Sequence, residues 1–278
     1  QQETLLQPLL IMRAEVYPTG DADLDDELAR LLAMLHPYNQ TVLDKVLAPI
    51  TEDSDAVHDI HQLLVAAQFP VPRPVTQREK IAAGLVGLDV KFAKHKLPQD
   101  TTWNDRIKEL YTRLASRDEY LATAIVEDAA FGRPGHVLFL SEIPAELLPE
   151  AMTAFVKNIA AQGEDYPWNN DIVFLLGESK EPVHRTLIRE QFERFNVRGA
   201  VLMALAGDPD ARDRPLFLQG LEMSQVEVVE ACVQALQKLP AGQSAAEQFA
   251  LLRAFRRLGQ DAVLEPALHQ RQVAHRLQ

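Results

Sequence analysis

Apolar residues recur along this chain in short runs with helical spacing, and turns rich in proline, glycine or polar residues separate the runs. The clearest runs lie between Asn196 and Gly259. Three segments there each begin with alanine and end with alanine beside a large apolar residue; they span 200–205, 231–236 and 250–255. Small and large side chains at helical spacing let neighbouring helices pack closely. The pattern therefore predicts helices that stack in pairs, as in repeat proteins.

The same periodicity in the rest of the chain predicts about a dozen helices of roughly 10 to 15 residues. Most of the 17 prolines fall between the apolar runs, where proline ends a helix. The short run Val137–Leu140 is also compatible with a strand. We therefore expect an all-α fold, an α-solenoid of stacked antiparallel helix pairs. Residues 1–50 would form N-terminal helices, as a cap or as part of a preceding unit, and residues 51–278 the repeat domain.

Polar residues mark where several helices should begin. The acidic run Asp21–Glu27 is expected to open a helix, because carboxylates are stabilised at the positive end of the helix dipole. The run Thr51–Asp55 offers caps for a later helix. Thr76, with Glu79 three residues later, matches a capping box for the helix that follows.

Composition and charge narrow the range of partners. The chain has 278 residues, of which 47% are hydrophobic, so it can bury a substantial core without a metal or a disulfide. Its net charge of −12 argues against nucleic acid and against an anionic membrane surface. Cys232 is the single cysteine, and we expect it to be a small buried apolar side chain. No apolar run approaches roughly 18 residues, so direct membrane insertion is not expected.

No motif in the sequence specifies a chemical reaction. Glycine-rich phosphate loops, a Gly-x-Ser-x-Gly nucleophile turn and a Cys-x-x-Cys-His haem-attachment motif are absent from it. We therefore expect a protein that is not an enzyme and that holds no cofactor. The alternative is a metal-dependent enzyme with a centre at His58 and His61, which share a helix face, and with Asp55 as a third ligand. Ordinary surface histidines explain the same spacing and are favoured.

Two polar-aromatic stretches are the candidates for contact with a partner. The first contains Trp103, Asp105 and Arg106, and the second contains Trp168. Tryptophan and arginine are enriched at the anchor points of protein interfaces. The structural alternative is that both tryptophans fill space between helices while Asp105 and Arg106 fix a helix start. A third hypothesis makes the protein a carrier of a peptide or glycan, with the two tryptophans as stacking platforms on a concave face.

Several short motifs occur in an order that resembles a known helical-repeat family. They are Asp59–Ala67, Pro70–Pro74, Gln77-Arg78, Leu85–Asp89, Trp103–Arg106 and Phe131–Pro134. Over residues 55–258 the chain is similar to the HEAT-like segment of large bacterial extracytoplasmic multidomain c-type cytochrome proteins, which are membrane-bound dehydrogenase-like. In that family the segment precedes a C-terminal cytochrome domain and often follows a propeller-like dehydrogenase domain.

The resemblance implies the kind of protein to which the chain belongs, but it assigns no functional residue. The haem of that family is attached in the cytochrome domain, so no ligand or nucleophile carries over to a residue of this sequence. The resemblance also implies an extracytoplasmic protein, periplasmic or secreted. Because the sequence begins at Gln1 without a secretory leader, we expect a processed protein or a piece of a longer one. Our leading hypothesis is a non-catalytic helical-repeat scaffold that binds a protein partner or neighbouring domains.

Overall fold

In a computed structural model, residues 16–36, 38–179, 181–240 and 244–259 are described, and every regular element among them is a helix. The all-α prediction is confirmed for these residues. The α-helices are α1 (Ala22–Leu35), α2 (Gln40–Leu47), α3 (Ala56–Ala66), α4 (Val75–His95), α5 (Trp103–Ala115), α6 (Leu121–Glu127), α7 (Leu148–Gln162), α8 (Asn170–Glu178), α9 (Pro182–Glu190), α10 (Arg198–Gly207), α11 (Arg214–Gly220), α12 (Val226–Lys238) and α13 (245–259). Short 3₁₀ helices span Pro134–Phe139, Ala145–Leu147, Gly163–Asp165 and Ala211–Asp213.

Aspartates cap two helices whose starts the sequence predicted. The Asp21 carboxylate accepts hydrogen bonds from the backbone amides two and three residues later, at 3.1 and 3.2 Å, so the acidic run opens α1. Asp55 accepts the corresponding bonds at the start of α3, at 2.9 and 3.0 Å. The first amide groups of a helix have no partner inside it, so these bonds stabilise the helix ends.

One local prediction was wrong, and one open alternative is decided. α4 begins at Val75, so Thr76 lies inside its first turn and no side chain caps this helix. Pro74 sets the start instead, because its ring fixes φ and its carbonyl oxygen accepts the first hydrogen bonds of the helix. The run Val137–Leu140 is helical and not a strand, since its first three residues lie in the 3₁₀ helix Pro134–Phe139 and Leu140 caps that helix.

The buried imidazole of His136 explains this 3₁₀ helix. Its Nδ1 accepts hydrogen bonds from the backbone amides of Gly132, at 3.1 Å, and Arg133, at 3.2 Å. Nε2 therefore carries the proton and donates to the carbonyl oxygen of Val86, at 3.0 Å. Gly132 has a φ of +105°, which glycine adopts without strain. Because the His136 side chain binds backbone amides only three and four residues before it, the chain coils here instead of extending.

The chain divides into two compact units, Gln1–Tyr166 and Pro167–Gln278. This division differs from the expected one after residue 50. In the first unit α1 packs on α3, α2 packs on α3 and α4, and α4 packs on α6. The early helices therefore share a core with the helices that follow them. Of the residues 1–50 that were expected to form N-terminal helices, 1–15 and 37 lie outside the described residues.

In the second unit α8, α10 and α12 pack side by side, α9 packs against α8 and α10, and α11 packs against α10 and α12. The segments 200–205 and 231–236 lie in α10 and α12, so their helical prediction is confirmed. Small residues allow close contact here, because a β-carbon on Gly220 would lie 2.3 Å from Sγ of Cys232. Cys232 is fully buried, as expected, and burial raises the pKa of its thiol to about 12.

Candidate functional site

An apolar groove in the first unit contains two of the residues that the sequence singled out. It lies between α3 and α5, and residues at the end of α4 complete its lining. Its volume is about 750 Å³, within the range of roughly 300–1,000 Å³ that is typical of ligand-binding clefts. The apolar lining consists of Val57, Ile60, Leu64, Phe92, Leu97, Pro98, Trp103, Ile107 and Leu110.

The helix α3 has apolar residues on two faces. One face carries Leu63 and Ala66, which are fully buried in the core of the unit. Val57, Ile60 and Leu64 lie on another face at helical spacing and line the groove. Val57 and Leu64 are exposed, so the described part of the chain leaves this second face uncovered. An uncovered apolar patch beside polar residues is typical of a binding surface.

The end of α4 shapes the groove next to Trp103. Lys96 adopts a left-handed conformation with φ of 51°, and the amide of Leu97 donates back to the carbonyl oxygen of Phe92 at 3.0 Å. This geometry commonly ends helices, and here it brings Leu97 and Pro98 to the groove. The ring centroids of Trp103 and Phe92 lie 4.2 Å apart. Trp103 is half-buried against Phe92 and presents the rest of its ring to the groove.

Charged side chains of α5 form the rim of the groove. Arg106 and Arg113 line it, with Glu109 between them. Arg106 lies 3.7 Å from Asp100 and Arg113 lies 2.6 Å from Glu109, and all four side chains are more than half exposed. Exposed ion pairs contribute little to stability, so these charges can exchange partners at low cost. Asp105 is exposed in the first turn of α5 but does not line the groove.

The buried side chain of Arg73 joins the two walls of the groove. Its guanidinium donates to the carbonyl oxygens of Ala66, at the end of α3, and Leu114, near the end of α5. The last carbonyl groups of a helix lack partners inside it and form the negative end of its dipole. Burial lowers the pKa of Arg73 to about 10, so the side chain remains cationic at neutral pH and suits this position.

Trp168 does not belong to this site, which corrects its prediction as a partner contact. It lies in the second unit and is only 5% exposed. Its carbonyl oxygen accepts a hydrogen bond from Nδ2 of Asn196 at 2.9 Å. A buried ring offers no face to a ligand, so the carrier hypothesis keeps one stacking platform, Trp103, instead of two.

The histidine pair faces a carboxylate that the sequence did not indicate. Asp55, the expected third ligand, caps α3. Asp26 of α1 instead lies 3.4 Å from Nδ1 of His58 and 3.8 Å from Nε2 of His61. Among the described residues, no group of three or more His, Cys, Asp or Glu side chains could hold a metal ion. This cluster joins α1 to α3 and gives the metal-enzyme alternative no support.

The sequence singled out Trp103 and Arg106, which line this groove, but did not single out its α3 side. The sequence does contain a signal for this side of the groove. Val57, Ile60 and Leu64 have helical spacing and form a second apolar stripe on a helix that already has one. The sequence alone does not show which of two stripes a neighbouring helix covers.

Comparison of the chain with known protein families, with curated proteins and with solved structures found no match. None of the described helices combines the length and the apolar character needed to span a membrane. Function is therefore inferred from the groove itself.

Proposed function

We propose that this chain is a non-catalytic helical-repeat module that binds an amphipathic helix of a partner protein in the groove between α3 and α5. The supporting observation is the uncovered apolar face of α3, which lies across the groove from Trp103 and the charged rim of α5. Amphipathic helices dock in such grooves by inserting apolar side chains spaced three, four and seven residues apart.

The order of helix contacts supports a solenoid within each unit. In the second unit α8, α10 and α12 pack side by side, with α9 and α11 packed against them. In the first unit α1 packs on α3, α2 on α4, and α4 on α6. Contact between every second helix is typical of stacked helix pairs, in which each pair buries its apolar face against the next.

The rim of the groove determines the partner chemistry that we propose. Arg106 and Arg113 are seven residues apart, so they lie two turns apart on one edge of α5. Carboxylates two turns apart on the partner helix can pair with both arginines. The present partners, Asp100 and Glu109, are exposed and exchange at low cost. The partner helix is therefore expected to carry an apolar stripe facing α3 and acidic residues along the flank nearest α5.

The family resemblance supports a proposal about where the protein is located and which kind of protein contains the partner helix. We propose an extracytoplasmic location, in which the partner helix belongs to a neighbouring domain of a haem-containing redox protein. The scaffold would then hold redox domains together without contributing a catalytic residue. The net charge of −12 is consistent with a protein partner and not with nucleic acid.

A designed helical peptide tests the binding proposal. The peptide carries leucines at positions i, i+4, i+7 and i+11 and glutamates along one flank, and a scrambled peptide of the same composition is its control. Trp103 fluorescence reports binding, because Trp103 lines the groove while buried Trp168 contributes a constant background. We expect a Kd of about 10–100 µM, or about −7 to −5 kcal/mol, and at least roughly tenfold weaker binding of the scrambled peptide.

Two matched valine variants distinguish peptide binding in the groove from binding elsewhere on the surface. Val57 and Val75 both lie in the first turn of a helix and are 61% and 57% exposed, but only Val57 lines the groove. Val57→Glu should weaken peptide binding at least tenfold, and Val75→Glu should leave it within twofold. Equal weakening by the two variants contradicts the proposal. A response of Trp103 to glycans and not to helical peptides would favour the carrier alternative instead.

A further inference from the structure

The two helices that form the walls of the groove run in the same direction. Arg73 donates to the carbonyl oxygens of Ala66 and Leu114, so the C-terminal ends of α3 and α5 lie close together. Val57 and Trp103, in the first turns of the same helices, line the groove toward its opposite end. The groove therefore has two distinct ends, which we call the Arg73 end and the Trp103 end.

The helix α4, which joins these two walls in sequence, shows how charge accompanies direction in this unit. It runs antiparallel to α3, because Lys91 near its end pairs with Asp59 near the start of α3. Lys94, in the last turn of α4, lies 3.3 Å from Asp53, which precedes α3. Basic residues are stabilised at the C-terminal end of a helix by its dipole. An antiparallel neighbour of α3 thus places its basic end beside acidic residues.

The charges that line the groove differ between its two ends. Asp100 lies at the Trp103 end, Arg106 follows in the first turn of α5, and Arg113 lies two turns further toward the Arg73 end. When partner carboxylates pair with both arginines, Asp100 is released from its 3.7 Å contact with Arg106. A cation on the partner can then pair with Asp100. The complementary flank of the partner carries two acidic residues and, nearer the Trp103 end, one basic residue.

The order of these charges determines the direction of the partner helix. In an antiparallel partner, both acidic residues precede the basic residue in the sequence. Acidic residues toward the N-terminus and basic residues toward the C-terminus stabilise a helix, whereas a parallel partner would need the reverse order. Glu109 lies between the two arginines in the sequence, so it does not distinguish the two directions.

We propose that the partner helix lies antiparallel to α3 and α5, with its acidic N-terminal part toward the Arg73 end and a basic residue at the Trp103 end. This inference rests on the proposed function and adds the direction and charge order of the partner. An exposed ion pair shifts an equilibrium by up to about fivefold, so several matched pairs should favour this direction about tenfold.

Disulfide exchange with a designed helical peptide tests the direction. The peptide keeps the leucine stripe of the binding test and carries two glutamates followed by a lysine. This order is repeated on both flanks, so that neither flank favours a direction, and a single cysteine is placed at one end of the peptide or the other. Val57→Cys provides a thiol at the Trp103 end of the groove, and Leu64→Cys provides one two turns further along α3. Native Cys232 is fully buried, so it does not react in the folded protein.

The expected pattern pairs opposite ends. Leu64→Cys should form at least about fivefold more mixed disulfide with the peptide that has the N-terminal cysteine, and Val57→Cys with the peptide that has the C-terminal cysteine. A peptide with the lysine before the glutamates is the control for charge order. It should bind at least about fivefold more weakly, as measured by Trp103 fluorescence.

Three results would overturn the direction alone. The opposite crosslinking pattern means that the partner runs parallel to α3 and α5. Equal yields with the two peptides at both positions mean that the groove imposes no direction. Equal or tighter binding of the peptide with the reversed charge order rules out the role of charge.

A fourth result would overturn the proposed function together with this inference. Val75→Cys is the control for crosslinking, because Val75 is exposed but does not line the groove. If neither groove variant forms more mixed disulfide than Val75→Cys with any peptide, the groove does not bind a helix. The two failures are therefore distinguishable in one set of measurements.

Discussion

The guanidinium of Arg73 donates a 2.7 Å hydrogen bond to the carbonyl oxygen of Leu114, 41 residues away in the chain. The same guanidinium donates to the carbonyl oxygen of Ala66 at 3.1 Å. One buried side chain therefore joins the C-terminal ends of the two helices that form the groove. Arg73 does not line the groove, yet it links the ends of both helices that form its walls.

Replacing Arg73 should affect both stability and binding. Arg73→Met removes two hydrogen bonds from a buried cation, at roughly 1.5–3 kcal/mol each, while the carbonyl oxygens of Ala66 and Leu114 keep backbone donors from Phe69 and Arg117. We therefore expect a loss of about 3 kcal/mol in the free energy of unfolding. Urea unfolding measures this loss. The helical peptide should also bind more weakly to the folded variant. The control is Arg117→Met, because Arg117 is exposed and should change stability by less than about 0.5 kcal/mol. Similar losses in the two variants would contradict the role of Arg73.

Stability should decrease below pH 6.5 because of His136. Its neutral imidazole makes the bonds to Gly132 and Val86, and burial lowers its pKa in the folded state below the ordinary value of 6.5. The unfolded chain then binds more protons as the pH falls below 6.5, so the free energy of unfolding falls with it. The stabilisation is fully present above pH 6.5. The slope approaches about 1.4 kcal/mol per pH unit where the two states differ by one proton.

The variant His136→Gln isolates this contribution. Urea unfolding at pH 7.5, 6.5 and 5.5 should show a smaller pH dependence in the variant than in the parent protein. Part of the dependence should remain, because burial also lowers the pKa of His61. The same pH slope in both proteins would show that His136 does not control it.

Asp213 should be among the most sensitive positions of the second unit. Its fully buried carboxylate accepts hydrogen bonds from both Arg185 and Arg189. Asp213→Asn leaves two largely buried arginines without their shared anion, and we expect a loss of about 3 kcal/mol by urea unfolding. Asp208→Asn is the control, since Asp208 is fully exposed and should change stability by less than about 0.5 kcal/mol. Equal effects would rule out this account of the ion-pair network.

Close packing at Gly220 gives a further prediction. A β-carbon there would lie 2.3 Å from Sγ of Cys232 and 2.8 Å from a methyl group of Leu202, so Gly220→Ala should cost about 1–3 kcal/mol. Gly207→Ala is the matched control, because no atom lies within 4 Å of its β-carbon position. Thermal or urea unfolding measures both. Combining Gly220→Ala with Cys232→Ala should recover part of the loss, and strictly additive losses would contradict a direct contact.

The groove shows which parts of the site local sequence can predict. Trp103 and Arg106 were predicted as partner contacts because their residue types are common at interfaces. Val57 and Leu64 were missed, although their helical spacing is visible in the sequence. Trp168 has the same residue type as Trp103 but lies buried in the second unit. Residue type and spacing do not distinguish these cases, because exposure depends on helices that are distant in sequence.

The sequence by itself determined that this chain is helical and where several of its helices begin. Apolar periodicity and caps such as Asp21 and Asp55 involve only residues a few positions apart, so local sequence is sufficient for them. Only the tertiary structure decided which apolar faces are covered, and that Asp26 rather than Asp55 faces the histidine pair. Those outcomes depend on contacts between residues that are tens of positions apart, such as Arg73 with Leu114. The physical reason is that a helix such as α3 presents more than one apolar face, and packing selects which face is buried.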